Sequence, residues 1–137
     1  MKILLKFISC ILSMPGHWVV WIAGLVVVNL LLPLFLVATS HVVLAPLVVI
    51  GFFLLGAGIQ MWIFQRLGFV RLLGLGHFGW FLMLPWLVLQ YPEPLVSSTL
   101  FGWWLVSILV LDGVSLLIDV VDVVRYLSGD RAPSVAC

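Results

Sequence analysis

Four long apolar stretches constrain the fold of this 137-residue chain more than any other feature of its sequence. The hydrocarbon core of a bilayer is about 30 Å thick, and about 20 apolar residues cross it as one α-helix. Each stretch reaches this length, so the sequence predicts four transmembrane helices. We expect them at about residues 18–37, 42–64, 72–89 and 99–124.

The overall composition excludes most classes of soluble protein. Hydrophobic residues make up 65% of the chain and charged residues 8%, whereas soluble domains average about half and about a quarter. With a net charge of +1, the chain has too small an excess of basic residues to form a patch that binds a phosphate backbone. We therefore expect no nucleic-acid partner. The predicted fold is an all-α integral membrane protein with a four-transmembrane-helix bundle.

The basic residues predict how the chain is threaded through the bilayer. All six precede the first stretch, follow the fourth, or lie between the second and third: Lys2, Lys6, Arg66, Arg71, Arg125 and Arg131. Short loops rich in lysine and arginine stay in the cytoplasm. Four crossings therefore put both termini in the cytoplasm, and the expected location is a bacterial inner (plasma) membrane.

Residues 1–14 form a separate segment before the first span. Lys2, Lys6, Ser9 and Ser13 recur at steps of four, three and four, which places them on one helical face opposite an apolar one. We interpret this segment as an amphipathic helix in the inner interface; a longer, tilted first span is the alternative. Residues 15–127 then form the bundle, and residues 128–137 form a short cytoplasmic tail.

Glycines favour close packing between the second and third spans, because small residues allow two helix backbones to approach. The glycines expected at this contact are Gly51, Gly56, Gly58, Gly76 and Gly79.

Three of the five acidic residues lie on one face of the fourth span, in its inner half. This face carries Asp112, Ser115, Asp119 and Asp122. Because an ionisable side chain within a bilayer costs free energy, this face of the helix must lie against protein or water. Asp112 is either a structural carboxyl bonded to another helix or a site that handles protons or ions. For Asp119 and Asp122, the simpler interpretation is pairing with Arg66 or Arg71 near the headgroups.

Depth in the membrane predicts partners for these acids, since an α-helix rises about 1.5 Å per residue. Asn29 of the first span and Asp112 fall at similar depth, and so do His77 of the third span and Asp119. We therefore predict an Asn29–Asp112 contact and a His77–Asp119 contact. The second pair would titrate near neutral pH.

The remaining histidines and the cysteines suggest no cofactor. His17 and His77 approach the same interface and leave a b-type haem as an alternative, while His41 lies in an outer loop. We expect no metal and no cofactor. Cys10 and Cys137 are not part of a C-x-x-C motif, and we expect both to be free thiols.

The sequence contains no nucleophile–base set, ligand set or nucleotide loop, so it predicts a protein that is not an enzyme. We expect an interaction, assembly or accessory subunit of a larger membrane system, partnered by a membrane protein or by further copies of itself. The alternative is a small proton- or cation-coupled transporter or channel using Asp112. Lipid headgroups are expected to contact Lys2, Lys6, Arg66 and Arg71.

Overall fold

The computed structural model describes residues 2–39, 41–93 and 98–135, and every regular element within these ranges is helical. The α-helices are α1 (Lys2–Leu12), α2 (Gly16–Val26), α3 (Leu32–Thr39), α4 (Leu44–Leu67), α5 (Trp80–Gln90) and α6 (Leu100–Leu127). A π-helical turn (Val27–Leu31) joins α2 to α3, and a 3₁₀ helix (Arg71–His77) precedes α5.

Four helical stretches are long and apolar enough to cross a membrane, as the sequence predicts. They are the first span (Gly16–Thr39), the second span (Leu44–Leu67), the third span (Arg71–Gln90) and the fourth span (Leu100–Leu127). Local signals set their ends. The Thr99 hydroxyl accepts a hydrogen bond from the Gly102 N–H at 3.1 Å and caps α6. Gly129, at φ 111°, ends the same helix.

The four spans pack around a core of large apolar side chains. Trp80, Trp104, Leu105 and Ile108 are almost completely buried between the helices. The opposite helix faces carry exposed apolar residues; Leu117, for example, is 70% exposed. A chain whose outer surface is this apolar fits a hydrocarbon environment rather than water.

The π-helical turn in the first span follows from Pro33, which has no N–H and cannot continue the hydrogen-bond ladder. The Leu32 N–H instead bonds Val27 O, one residue further back than in an α-helix. This shift leaves Val28 O without a helical donor. Trp104 of α6 supplies one, because its indole Nε1–H donates to Val28 O at 2.9 Å.

A second apolar cluster holds α1 against the end of α4. The Phe7 ring meets the Phe64 ring at 5.1 Å between centroids and the Phe69 ring at 5.7 Å. Cys10 is fully buried in this cluster and is disulfide-bonded, so the expectation of a free thiol is wrong for Cys10. The same expectation for Cys137 falls outside the described residues.

The second and third spans approach at glycines, as predicted for Gly56, Gly76 and Gly79. A Cβ atom on Gly56 would lie 2.5 Å from Gly76 O, and one on Gly79 would lie 2.8 Å from the Phe52 ring. The expectation is wrong for Gly51 and Gly58. Among the described residues, nothing lies within 4 Å of a Cβ atom built on either, because both are on the outward face of α4.

Gly56→Ala is expected to lower the free energy of unfolding by about 1–3 kcal/mol, since the new methyl group would overlap a backbone oxygen in a packed interface. Gly58→Ala is the matched control on the same helix. It meets open space and should not destabilise, because alanine favours a helix over glycine by roughly 0.5–1 kcal/mol. Unfolding by SDS in mixed micelles measures both. Equal stability of the two variants would contradict the close approach.

Candidate functional site

The polar face of α6 forms the candidate site. We use the name polar column for the polar residues of this face and the side chains grouped around them: Asp112, Ser115, Asp119 and Asp122, with Asn29, Gln60, Arg71, His77, Trp80 and Asp130. Asp112 and Ser115 are buried, and Asp119 and Asp122 become partly exposed toward the end of the helix. The column therefore runs from the core of the bundle to its surface at one end.

Asp112 contacts Asn29 at the buried end of the column, which confirms the predicted contact. Asn29 Nδ2 donates to Asp112 Oδ1 at 2.8 Å and also to Leu25 O at 3.1 Å. Both side chains are 0% exposed. Among the described residues, neither Asn29 Oδ1 nor Asp112 Oδ2 has a hydrogen-bond partner. Trp21 Nε1 lies 3.5 Å from the Ser115 hydroxyl, one helical turn further along the column.

His77 and Asp119 form the middle of the column, which confirms the second predicted contact. His77 Nδ1 and Asp119 Oδ2 are 2.7 Å apart, and both side chains are mostly buried. Trp80 stacks on the imidazole at 4.2 Å between ring centroids with an interplanar angle of 20°. Gln60 Nε2 lies 3.0 Å from His77 Nε2. The imidazole is therefore held on both nitrogens and on one face.

The 3₁₀ helix brings His77 into this position. Gly74 lies against Asp119, where an added Cβ would be 2.9 Å from Asp119 Oδ1. Gly76 packs even more closely on the Gln60 side chain of α4. The absence of side chains at these two positions lets the His77 segment fit between α4 and α6.

Ion pairs form the exposed end of the polar column. Arg71 Nη1 contacts Asp122 Oδ1 at 3.1 Å, and Arg71 Nε contacts Asp130 Oδ2 at 3.1 Å. Arg125 Nη2 contacts the same Asp130 oxygen at 2.9 Å. The predicted pairing of Asp122 with Arg66 or Arg71 is thus confirmed for Arg71. These groups are partly exposed, so each pair contributes no more than about 1 kcal/mol.

Other predicted residues lie outside the column. Arg66 stands over the Trp62 ring at 5.8 Å, and Lys2 and Lys6 are exposed on α1. His17 lies beside Trp18, with ring centroids 5.4 Å apart. Within the described ranges, no group of three or more His, Cys, Asp or Glu side chains could hold a metal ion.

Sequence reasoning missed several members of the column, namely Gln60, Trp80 and Asp130. Within the predicted second span, residues 42–64, Gln60 is the one strongly polar residue, which is a signal that could have identified it as a partner for His77. Trp80 follows His77 by three residues, a helical spacing that also predicts contact. Asp130 lies beyond the end of α6, and no periodic pattern points to it.

The column combines three environments for ionisable groups within one bundle. Asp112 is fully buried in the core, the His77–Asp119 pair is mostly buried, and Arg71 and its partners are partly exposed at the surface. Such a gradient can hold charge or a proton at different depths. Comparisons with protein-family models, with curated proteins and with solved structures find no match for this chain.

Proposed function

We propose that this chain is a small accessory or assembly subunit of a larger membrane system in a bacterial inner membrane. The proposal includes four spans in one bundle, α1 in the inner interface, and both termini in the cytoplasm. One observation carries it: the described parts of both chain ends meet at one end of the molecule, together with the basic residues.

Three contacts support this meeting of the chain ends. Phe7 of α1 packs on Phe64 near the end of α4. The Ser134 N–H of the tail donates to Phe69 O at 2.8 Å, and Arg71 pairs with Asp130. We call α1, residues 66–71 and residues 128–135 the inner platform. All six basic residues belong to it or lie within a turn of helix of it, in agreement with the rule that cytoplasmic loops are positive.

The inner platform also presents an exposed apolar surface, which lipid or the membrane-embedded part of a partner protein can cover. The face of α1 turned away from the bundle is apolar and exposed, and it consists of Leu4, Leu5, Ile8 and Leu12. An amphipathic helix of this kind lies in the headgroup region with its apolar side in the acyl chains. Lys2, Lys6 and Arg66 then contact lipid headgroups, whereas Arg71, also expected there, is engaged by two carboxylates.

A second candidate function is proton- or cation-coupled transport that uses Asp112. The observation that favours it is the pair of buried oxygen atoms, Asp112 Oδ2 and Asn29 Oδ1, which lack a donor among the described residues. Proton-driven flux in vesicles of the purified protein, lost in Asp112→Asn, would favour transport over an accessory role.

Photo-crosslinking tests the accessory role. A photoreactive amino acid at Leu5, 61% exposed on the inner platform, is expected to yield one discrete adduct with another membrane protein or with a second copy of the chain. Leu89 is a matched control because it is 77% exposed but lies at the opposite end of the bundle. Mass spectrometry of the adduct identifies the partner. Absence of any protein adduct from Leu5 at native expression would contradict the proposal.

A further inference from the structure

The polar atoms around Asp112 include more hydrogen-bond acceptors than donor hydrogens. Asn29 has two amide hydrogens, and both are used: one reaches Asp112 Oδ1 and the other reaches Leu25 O. The two remaining oxygens, Asp112 Oδ2 and Asn29 Oδ1, are fully buried without a donor among the described residues. An ionised carboxylate with a single amide donor is very costly in an apolar core. A proton on Asp112 removes the charge and supplies a donor.

We propose that Asp112 is a reversible proton-binding site, and that Ser115 and the His77–Asp119 pair connect it to the inner platform. The ligand is a proton because Asp112 and Asn29 are both 0% exposed, which leaves no room for a hydrated cation. Binding forms one O–H bond on the carboxyl as the bond to the same proton in the His77–Asp119 pair breaks, and release reverses this transfer. No oxidation or reduction takes place.

The spacing along α6 suits stepwise transfer. Ser115 follows Asp112 by three residues and precedes Asp119 by four, which corresponds to about 4.5 Å and about 6 Å along the helix axis. A hydroxyl both donates and accepts, and one hydrogen-bonded water bridges the gap between Ser115 and Asp119, where both residues have some exposure. Ser115 is therefore the intermediate group between the buried carboxyl and the His77–Asp119 pair.

The His77 site accommodates both protonation states of the imidazole. With a hydrogen on Nδ1 donated to Asp119, Nε2 accepts from the Gln60 amide, as the 3.0 Å contact between the two nitrogens requires. When the imidazole gains a second proton, rotation of the Gln60 amide by 180° presents its oxygen to Nε2–H. Neither state loses a hydrogen bond, which is the property a proton relay needs.

The charged and polar groups along this path come from all four spans. Asp112 faces Asn29 from the first span, and the third span contributes His77, which contacts Asp119. Gln60 of α4 faces His77. At the exposed end, Arg71 contacts both Asp122 and Asp130.

Infrared difference spectroscopy of the full chain tests the proton site directly. The protein is placed in vesicles of phosphatidylcholine and phosphatidylglycerol, and spectra are compared from about pH 5 to about pH 9, which brackets histidine titration. We expect a carbonyl band of a protonated carboxylic acid that decreases as the pH rises. The band should vanish in Asp112→Asn and shift in Asp112→Glu, which keeps the carboxyl. Asp122→Asn should leave it unchanged.

The relay has its own readout, the rate at which this band shifts after transfer to heavy water. His77→Gln is expected to slow the exchange by about a hundredfold, the lower end of what a positioned acid–base group contributes. An exchange rate unchanged in His77→Gln would overturn the relay. A band that is absent, or one that does not respond to pH, would overturn proton binding by Asp112. Neither result bears on the crosslinking test of the accessory role.

Discussion

Asn29→Leu is expected to lower the free energy of unfolding by about 1–3 kcal/mol. Leucine has a similar size, but it removes the amide that donates to Asp112 Oδ1 at 2.8 Å. Asp112 is 0% exposed, so no water can replace the lost donor in the folded bundle. A buried polar group left without its partner is more costly than the hydrogen bond itself is stabilising.

The double variant Asn29→Leu, Asp112→Leu should be more stable than either single variant. Two leucines leave no unpartnered polar atom, and replacement of both members of a buried pair is often neutral or stabilising. We expect a coupling energy of about 0.6 to 1.7 kcal/mol, the average and the maximum found for hydrogen bonds between membrane helices.

Unfolding by SDS in mixed micelles gives the four free energies of this cycle. Ser107→Ala is the control, because Ser107 is exposed and its hydroxyl bonds only its own helix, at Trp103 O. Its effect should stay within about 0.5 kcal/mol. Strictly additive effects of the two leucine substitutions would mean that the Asn29–Asp112 contact contributes nothing to the fold.

Simple depth arithmetic was sufficient to predict two contacts of the polar column. Asn29 with Asp112 and His77 with Asp119 are joined by hydrogen bonds of 2.8 Å and 2.7 Å. The prediction succeeds because the rise of a helix is fixed and polar groups within apolar spans require partners. The presence of four long apolar helices was also predictable, because each apolar stretch of the sequence is long enough to form one.

Contacts that depend on the direction in which each helix face points were not predictable from depth alone. The Trp104–Val28 hydrogen bond requires the π-helical turn that Pro33 imposes, and periodicity does not indicate which side chain reaches the freed carbonyl. The third span begins as a 3₁₀ helix, which changes the direction of His77 relative to an α-helix. Gln60 then becomes its neighbour.

The glycine prediction failed at Gly51 and Gly58 for a related reason. Glycine content identifies helices that can pack closely, but only the packed structure determines which face is in contact. Gly56 faces the third span, whereas Gly51 and Gly58 face outward. The disulfide at Cys10 was missed because the absence of a C-x-x-C motif does not exclude a disulfide, which depends on the geometry of the fold.

The membrane topology of the chain is the prediction with the largest expected effect, because each loop lies either in the cytoplasm or on the other side of the membrane. Arg66 and Arg71 flank the turn between the second and third spans. The turns near His41 and Glu93 contain no lysine or arginine. Because basic residues in short loops are retained on the cytoplasmic side, adjacent loops should lie on opposite sides.

Reporters inserted into the full-length chain measure this arrangement most directly. Alkaline phosphatase, which is active only outside the cytoplasm, should be active after His41 and after Glu93. A fluorescent protein that folds only in the cytoplasm should fluoresce after Phe69 and after Arg131. This pattern would establish four spans with both termini inside and the polar column open toward the cytoplasm. Phosphatase activity after Phe69 or after Arg131 would contradict it.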